Sequence, residues 1–364
     1  MCQKHIGTRL LDAKALWELP NSAKKNNNRA NNDEHNKKIC PALLVLATLS
    51  SLETVAANGP PPPSVGEPNG INLGGTSFYD GFAGLPGFSF QQYLKYTSAS
   101  SIRNNSGKEI KDFDNPKINV TSLINQLSYY SPNTIGAGAH LGWNIIVPIV
   151  SLDGDFGSNG PQLKDNATGV GDVTTGPLVQ FDPIVDEHGR PIFVQRLALD
   201  VLLPVGKYDE HKDLNQGSNF YSINPYWAAT WMPAPRWEVS WRLHYLQNFK
   251  NKDPASSSVQ LFEGQPVRDT QAGKAAWINF TASYEVIPNV SVGLNGYYFK
   301  QISDDEVNGH RLADSREKVL GIGPGVFWKV GDGDGVWFNT YRETEVENRA
   351  RNDYVVQVRY AHTF

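Results

Sequence analysis

The sequence has 364 residues, enough for one large domain or two small ones, and a formal net charge of −4 at pH 7. This balance, without a basic stripe, argues against a nucleic-acid interface. The two cysteines are Cys2 and Cys40, so the remaining chain excludes a disulfide framework and a cysteine metal site. No run reaches about 18 apolar residues, which excludes a transmembrane helix but not strands that face lipid on one side.

Residues 37–57, KKICPALLVLATLSSLETVAA, have the pattern of a secretory signal peptide. Two lysines precede an apolar core at residues 39–52 that is too short to span a membrane, and Ala57 ends a run of small residues suited to cleavage. An uncleaved anchor or a buried core helix is the alternative. Residues 1–36 have the composition of a disordered extension or of a start site assigned too early. We therefore expect residues 1–57 to be an extension plus a signal peptide cleaved near Ala57.

Residues 58–87 are rich in proline and glycine and show no alternating pattern. They begin with the stiff proline stretch NGPPPPSVGEPNG and continue as INLGGTSFYDGFAGLPG. We expect this segment to be either a periplasmic tail or a small plug inside the fold that follows it.

From Phe88 to Phe364 the chain is a series of alternating segments, each about as long as a tilted strand that crosses a bilayer. The clearest is TIGAGAHLGWNIIVPIV, in which eight apolar residues recur at every second position. Twelve such segments begin near Phe88, Ile118, Thr134, Asp172, Arg190, Asn219, Trp237, Lys274, Val290, Lys318, Val336 and Asn352. The second, fourth and eleventh have two similar faces, so ten or fourteen strands remain alternatives.

The connections between these segments alternate between short turns and long polar loops. The short ones are SPNT, MPAPR, IPN and GDGDG, with DPIVDEHGRP somewhat longer. The long loops lie near residues 99–117, 151–171, 206–218, 250–273 and 303–317. The connection before the last segment, ENRARND, should lie at the same end as these long loops, but it is short. An outer-membrane barrel has tight turns on the periplasmic side and long loops outside, whereas a β-sandwich gives no reason for the alternation. The sequence therefore predicts an all-β fold, a single transmembrane antiparallel β-barrel over residues 88–364.

Aromatic side chains gather beside the predicted short turns and at the end of the chain. They are Phe88, Tyr130, Trp231, Trp237, Tyr284, Trp328, Phe338 and Phe364. Aromatic rings are enriched at membrane–water interfaces, although aromatic residues also favour strands in general. We interpret these residues as a periplasmic aromatic girdle.

Side chains on the opposite strand faces should line a lumen. They are Lys95, Arg196, Asp200, Glu238, Arg242, His244, Trp277, Glu285, Tyr297 and Arg359. Lumen charges of mixed sign can select solutes by polarity, and the alternative is structural pairing within the wall, with Glu238 and Arg242 as partners. Glycines on the inward faces of the third and tenth strands would let another backbone approach closely; they are Gly136, Gly138, Gly142, Gly321, Gly323 and Gly325.

Catalytic and cofactor motifs are lacking in the sequence. It contains no G-x-S-x-G or HExxH pattern, and the GDGDG stretch lacks the further oxygen ligands of a calcium loop. His244 is an isolated lumen histidine, which is more typical of a hydrogen-bonded wall residue than of a catalytic base. We therefore expect no enzyme activity, no metal and no cofactor.

Several motifs between residues 74 and 349 are distinctive. They include GGTSFYDG, GVGDVTTGPLVQF, LPVGKYDEHKDLNQGSNFYSINPYWAATW, GLNGYYFKQISDDEVNG, GIGPGVFW and ENR. Together they resemble the outer-membrane family associated with the meta pathway of phenol degradation, over about residues 74–364. The resemblance implies a barrel that takes up hydrophobic, often aromatic, compounds, and it supplies no catalytic residues. The terminal Phe364 also resembles the signal that the barrel-assembly machinery reads.

These observations predict a channel or transporter in the outer membrane of a Gram-negative bacterium, for passive uptake of small hydrophobic and phenol-like aromatic compounds. The expected partners are the lipid bilayer, the barrel-assembly machinery and the solute, and the sequence sets no oligomeric state. Two alternatives remain. One is a structural or surface-binding outer-membrane barrel without transport, and the other is a secreted soluble β-protein that binds a ligand.

Overall fold

The computed structural model describes residues 65–136, 138–158 and 160–364. The predicted signal peptide, its cleavage site and both cysteines lie outside these residues, as does the proline stretch up to residue 64. Within the described ranges, no helical segment combines the length and the hydropathy needed to cross a lipid bilayer.

Twelve long strands of the described chain form one antiparallel barrel. They are β1 (Gly87–Ile102), β2 (Lys117–Thr134), β3 (Ala139–Asp155), β4 (Val173–Phe181), β5 (Pro191–Leu203), β6 (Ser222–Trp231), β7 (Trp237–Asn248), β8 (Ala275–Ile287), β9 (Val290–Gln301), β10 (Lys318–Lys329), β11 (Asp334–Glu347) and β12 (Ala350–Thr363). Each strand pairs with its neighbour in sequence, and β12 pairs with β1 from Ser89↔Thr363 to Ile102↔Ala350. The last pairing closes the barrel, and the predicted all-β fold with twelve strands is confirmed.

Short strands occupy the connections and stay outside the barrel wall or at its rim. They are Thr168–Val170, Ile184–Val185, Leu261–Phe262, Gln265–Pro266, Thr270–Gln271, Glu306–Val307 and His310–Arg311. The short strands Thr270–Gln271, Glu306–Val307 and His310–Arg311 form a small three-stranded sheet. Because the first lies in the loop before β8 and the other two lie in the loop before β10, these two loops pack on each other.

The strands place polar side chains inside and apolar side chains outside. In β7, Arg242 and His244 are buried, whereas Leu243 and Tyr245 are 42% and 37% exposed. A water-soluble domain has the opposite arrangement, because apolar burial is its main source of stability. A barrel whose outer surface meets hydrocarbon needs an apolar exterior of this kind.

The connections fall into two classes at the two ends of the barrel. At one end, here called the short-turn end, residues 135–138, 182–190, 232–236, 288–289 and 330–333 join consecutive strands. At the other, the long-loop end, the connections are residues 103–116, 156–172, 204–221, 249–274, 302–317 and the two-residue turn 348–349. The structure thus has the predicted alternation, including the short connection before the last strand.

The start of the third strand was predicted wrongly. The sequence pattern places it near Thr134, but β3 begins at Ala139. Gly136 and Gly138 have φ angles of +76° and +70°, a left-handed conformation that glycine adopts readily and that reverses the chain. These two glycines therefore form the turn and do not lie on an inward strand face.

Candidate functional site

Residues 65–86, here called the N-terminal segment, run lengthwise against the inner face of the barrel. Near its start, Glu67 accepts a hydrogen bond of 2.7 Å from Nδ2 of Asn248, the last residue of β7 at the long-loop end. Further along, the backbone N–H of Tyr79 donates to Oε1 of Glu238, at the short-turn end of the same strand, at 3.0 Å. The segment then leads into β1 at Gly87. It therefore crosses the barrel interior from the long-loop end to the short-turn end.

The middle of the N-terminal segment is held by inward-facing side chains that bond its backbone. Asn279 accepts from the N–H of Gly74 at 3.0 Å and donates to the carbonyl of Asn72 at 2.9 Å. The Tyr341 hydroxyl donates to the Gly74 carbonyl, and Gln357 donates to the carbonyl of Gly75, each at 2.9 Å. Buried backbone groups that lack a regular partner must find one elsewhere. The polar wall supplies these partners.

Glycines let the segment and the wall approach closely. A Cβ on Gly81 would lie 2.5 Å from the backbone N of Thr230, and the N–H of Gly81 donates to the Thr230 hydroxyl at 2.8 Å. In β10, a Cβ on Gly321 would lie 2.2 Å from Cζ of Tyr297, and the Gly325 position faces the ring of Phe78. Backbone atoms at Gly81, the Tyr297 ring at Gly321, and the Asn295 and Asn339 amides with the Phe78 ring at Gly325 therefore occupy the space that side chains at these glycines would fill.

A buried charge cluster anchors the segment near the short-turn end. Asp80 is 5% exposed and accepts hydrogen bonds from Nε of Arg242 at 2.8 Å and from Nη2 of Arg196 at 3.2 Å, with a further bond from Nη2 of Arg242. The Arg242 guanidinium also lies over the ring of Tyr226, with Cζ 4.5 Å from the ring centroid. One carboxylate thus forms ion pairs with two arginines that project from β5 and β7.

Glu238 does not pair with Arg242, so the predicted partnership of these two residues is wrong. Its carboxylate accepts from the N–H of Tyr79, from the Ser283 hydroxyl at 2.5 Å and from the Ser240 hydroxyl. The Arg242 charge is taken by Asp80 instead. The sequence pattern of the strands alone could not show this, because Asp80 lies in the segment without strand pattern.

A cavity of about 860 Å³ lies between the N-terminal segment and the wall formed by β1, β2 and β3. Residues of the long-loop end border it, among them Phe156 and Leu214, and so do Asp332 and Gly333 of the short-turn end. It therefore extends along the barrel beside the segment. Ile118, Val120, Ile124 and Ile146 give it one apolar wall.

Most of the predicted lumen residues also border this cavity, and all of them except Lys95 of β1 lie on strands other than β1, β2 and β3. They are Lys95, Arg196, Asp200, Arg242, His244, Tyr297 and Arg359. Lys95 donates to the carbonyl of Leu73 at 2.9 Å, and the Tyr297 hydroxyl donates to Oε1 of Glu343 at 2.7 Å. The His244 ring stacks on Trp277 with the centroids 4.1 Å apart. The cavity is thus apolar on one side and charged on the other.

Three predicted lumen residues do not border the cavity. Glu238 and Trp277 bond to the N-terminal segment, since Trp277 Nε1 donates to the carbonyl of Asn72 at 2.9 Å. Glu285 accepts from the backbone N–H of Asn289 at 2.8 Å, within the turn between β8 and β9. Their assignment to a solute path is corrected accordingly, because the segment covers two of them and the barrel rim holds the third.

Most of the predicted girdle aromatics are exposed on the outer surface beside the short-turn end. Phe88, Trp231, Trp237, Trp328, Phe338 and Phe364 are exposed, and Tyr284 is half-buried. Tyr130 is buried and packs edge-on against the ring of His140, so its assignment to the girdle is wrong. Tyr129 is exposed in its place, with its ring centroid 5.0 Å from that of Phe88. The error arose because both faces of β2 mix apolar and polar residues, so the sequence does not show which face points inward.

The sequence reasoning did not find Asp80, the residue that joins the segment to the wall. A usable signal was present, because Asp80 is the one carboxylate in the distinctive stretch GGTSFYDG, whose other residues are small or aromatic. Two inward arginines on predicted strands required an acidic partner. Across the described part of the chain, no group of three or more His, Cys, Asp or Glu residues is arranged to hold a metal ion.

Comparisons with known proteins agree with this architecture. The structure is similar to the crystal structure of the COG4313 outer membrane channel from Pseudomonas putida F1, with a TM-score of 0.64 and 18% sequence identity over 79% of this chain and 98% of that one. It also matches the β domain of the Bordetella autotransporter BrkA at a TM-score of 0.41, with 10% identity over 76% of this chain and 100% of that one. That second likeness is too weak to support a conclusion.

The sequence itself identifies the family. The comparison with curated proteins found no match. A family model described as the MetA-pathway of phenol degradation matches residues 99–360, which is most of the chain and nearly all of the barrel. The protein therefore belongs to this family, and it has the twelve-stranded barrel fold of an outer membrane channel.

Proposed function

We propose that this protein is an outer-membrane channel for passive uptake of small hydrophobic compounds, including phenol-like aromatic ones. The observation that carries the proposal is the cavity along the barrel interior, bordered by Ile118, Val120, Ile124 and Ile146 on one side and by charged residues on the other. An apolar wall can hold an aromatic ring, while the polar side can bind its hydroxyl group. Several weak contacts in sequence allow a solute to enter and also to leave.

The N-terminal segment acts in this proposal as a plug that narrows the lumen. Its backbone is bonded by Asn279, Tyr341 and Gln357, and Asp80 is held by two arginines. With the segment inside the twelve-stranded barrel, the described residues leave the cavity to one side of the segment as the space for a solute. Selectivity then depends on how the segment is positioned as well as on the wall.

The location follows from the outer surface. Exposed apolar side chains such as Leu141, Ile145 and Leu243 cover the outside of the barrel, which suits contact with lipid acyl chains. Exposed aromatic rings at the short-turn end then mark the periplasmic interface. In this proposal the signal peptide directs export, the barrel-assembly machinery inserts the chain into the outer membrane of a Gram-negative bacterium, and no catalytic step takes place.

Solute uptake into vesicles tests the proposal. Purified protein is reconstituted into vesicles whose outer leaflet is rich in lipopolysaccharide, because phenol crosses plain phospholipid too readily. We expect the protein to accelerate the entry of phenol above that of protein-free vesicles, with a much smaller effect on a sugar of similar size. Equal entry of phenol with and without folded protein would contradict a channel and would favour a structural or surface-binding barrel.

Detergent dependence tests the membrane location separately. A folded outer-membrane barrel stays in detergent extracts and migrates differently on a gel before and after heating. We expect both properties for the mature chain. A mature chain that remains in solution without detergent would instead support the secreted, ligand-binding alternative.

A further inference from the structure

Arg359 occupies a distinctive position on the inner face of β12. It is 5% exposed and borders the cavity. In the strand register it lies opposite Tyr93 of β1 on one side and Trp337 of β11 on the other. Cζ of Arg359 is 3.7 Å from the centroid of the Trp337 ring and 5.7 Å from that of Tyr93. The guanidinium is therefore held against one ring and beside a second.

The donors of Arg359 are under-used. Its Nε has no hydrogen-bond partner, and among the described residues none forms an ion pair with it within 4.0 Å. The Tyr93 side chain lies within hydrogen-bonding reach of the guanidinium, and the nearby acid whose charge acts on it is Asp80. That carboxylate is bonded to Arg196 and Arg242. A buried guanidinium presents five N–H groups in a planar fork that suits a carboxylate.

The absence of a close carboxylate also favours an anion. Arg196 and Arg242 share the carboxylate of Asp80 and lie near that of Asp200. Arg359 is almost completely buried, and no carboxylate of the described residues lies within 4.0 Å of its guanidinium. Such a charge is costly unless a counter-charge reaches it.

The surroundings of Arg359 fit an aromatic ring attached to that anion. Ile124 of β2 lies opposite Tyr93 in the register, and Phe327 of β10 packs on Trp337 with the centroids 4.6 Å apart. These four side chains border the same cavity as Arg359. Five neighbouring side chains, Phe327, Trp337, Arg359, Tyr93 and Ile124, therefore combine a cation that forms no ion pair with three aromatic rings and an aliphatic side chain.

We propose that Arg359 forms a binding site for the carboxylate of a monocyclic aromatic acid, with the ring of the acid against Tyr93 and Ile124. This inference rests on the proposed function, since the same cavity would deliver the solute, and it extends the solute class from neutral to anionic aromatic compounds. The guanidinium binds the carboxylate through paired N–H donors, and the aromatic neighbours contact the ring. A simple inorganic anion would pair with the guanidinium but would gain nothing from contact with the neighbouring aromatic rings.

Calorimetric titration of the detergent-purified barrel tests the site, with benzoate, acetate and benzyl alcohol as probes. We expect saturable binding of benzoate that is about tenfold or more tighter than that of acetate or benzyl alcohol, because a charge-assisted pair and ring contacts each contribute. Arg359→Gln should weaken benzoate by about tenfold or more, and Arg359→Lys should restore part of the affinity. The matched control is Lys252→Gln, which removes one positive charge from an exposed loop position.

Heat-modifiable gel migration confirms that each variant is folded, so that loss of binding is not loss of the barrel. Benzoate affinity that is the same in wild type and folded Arg359→Gln would overturn the inference, and so would equal affinity for benzoate and acetate. Phenol uptake into vesicles, measured on the same preparations, tests the proposed function separately. Benzoate binding lost in Arg359→Gln together with no phenol uptake by wild type would support the site and contradict the channel.

Discussion

Neutralising Asp80 should release the N-terminal segment from the wall. Asp80 accepts hydrogen bonds from Arg196 and Arg242 while almost completely buried. Asp80→Asn keeps the shape of the side chain but removes the carboxylate that both Arg196 and Arg242 contact, which leaves Asp200 as the acid near them. Removing one partner of a buried ion pair costs about 3–5 kcal/mol. When the segment leaves the lumen, water can hydrate both arginines, so this cost falls on the docked state alone.

The equilibrium between the docked and released segment should therefore shift by about two to four orders of magnitude, because each 1.4 kcal/mol is roughly a factor of ten. Single-channel recording in planar bilayers measures the result. We expect Asp80→Asn to spend a much larger fraction of time in a high-conductance state than wild type. A folded variant with wild-type conductance and wild-type opening frequency would refute the anchoring role of Asp80.

A disulfide provides the control for this experiment. Nδ2 of Asn339 donates to the Ser77 hydroxyl at 3.0 Å, so the two side chains are close enough for a cysteine pair to be tested. Both native cysteines precede residue 65, and the predicted cleavage near Ala57 would remove them from the mature chain. In the Asp80→Asn background, Ser77→Cys with Asn339→Cys should suppress the high-conductance state under oxidising conditions, and reduction should restore it.

Three further predictions concern the wall, the outer surface and one loop. Gly321→Leu should lower the yield of folded barrel, because its Cβ alone would meet the Tyr297 ring at 2.2 Å; Gly331→Leu, in a turn where the φ angle is not positive and the nearest atom would lie 3.4 Å from the Cβ, is the comparison. Leu243→Arg should destabilise the barrel in bilayers by about 2–4 kcal/mol near the midplane, measured by urea unfolding in lipid vesicles, and an unchanged midpoint would argue against lipid contact. Burial raises the pKa of Asp305, in the loop 302–317, to about 7 from its ordinary value of 3.8. The hydrogen bond that Asp305 accepts from the backbone N–H of Gly273 lowers the pKa, but this effect is smaller than that of burial. Because the folded pKa is the higher one, this loop should pack most stably below about pH 4 and loosen as the pH rises through about 7. The intrinsic exchange rate itself rises with pH, so the quantity to compare is protection relative to that rate. Hydrogen-exchange protection of residues 302–317 should therefore fall between about pH 5 and pH 8 in wild type and much less in Asp305→Asn; equal pH dependence of the protection in both would count against this assignment.

The barrel itself could be predicted from the sequence because the two faces of its strands meet different environments, the polar interior and the apolar exterior. In β7, Arg242 and His244 face the interior while Leu243 and Tyr245 face outward, and the same two-residue period recurs along the chain. Loop lengths added the second signal, since turns and long loops alternate at the two ends. These two patterns are local, and for that reason they required no knowledge of which strands pair.

The predictions were wrong where the two faces of a strand have similar composition, or where the apolar pattern continues beyond the strand. β2 borders the cavity with Ile118, Val120 and Ile124, so its inner face is as apolar as its outer face, and Tyr130 was placed on the wrong side. In the third strand, Ile135 continues the apolar period into the turn, and only the positive φ of Gly136 and Gly138 shows that the strand has not begun. Periodicity records the environment of a side chain and not the conformation of the backbone.

The placement of the N-terminal segment could not be derived from its own sequence. Its contacts join residues far apart in the chain, such as Gly75 with Gln357 and Asp80 with Arg242. Tail and plug would have the same composition, because both need glycine and polar backbone partners. The inward arginines were the indirect sign, since buried cations on β5 and β7 require an acid from outside the strand pattern.

Chemical blocking from within the cavity tests the channel most directly. Ile124→Cys places a thiol on the apolar wall of the cavity, and Leu127→Cys places one on the exposed outer face of the same strand. A charged, membrane-impermeant thiosulfonate added during single-channel recording should reduce the conductance of Ile124→Cys and leave Leu127→Cys unchanged. Conductance through Ile124→Cys that is unaffected by complete modification of its thiol would show that solutes do not pass along this cavity.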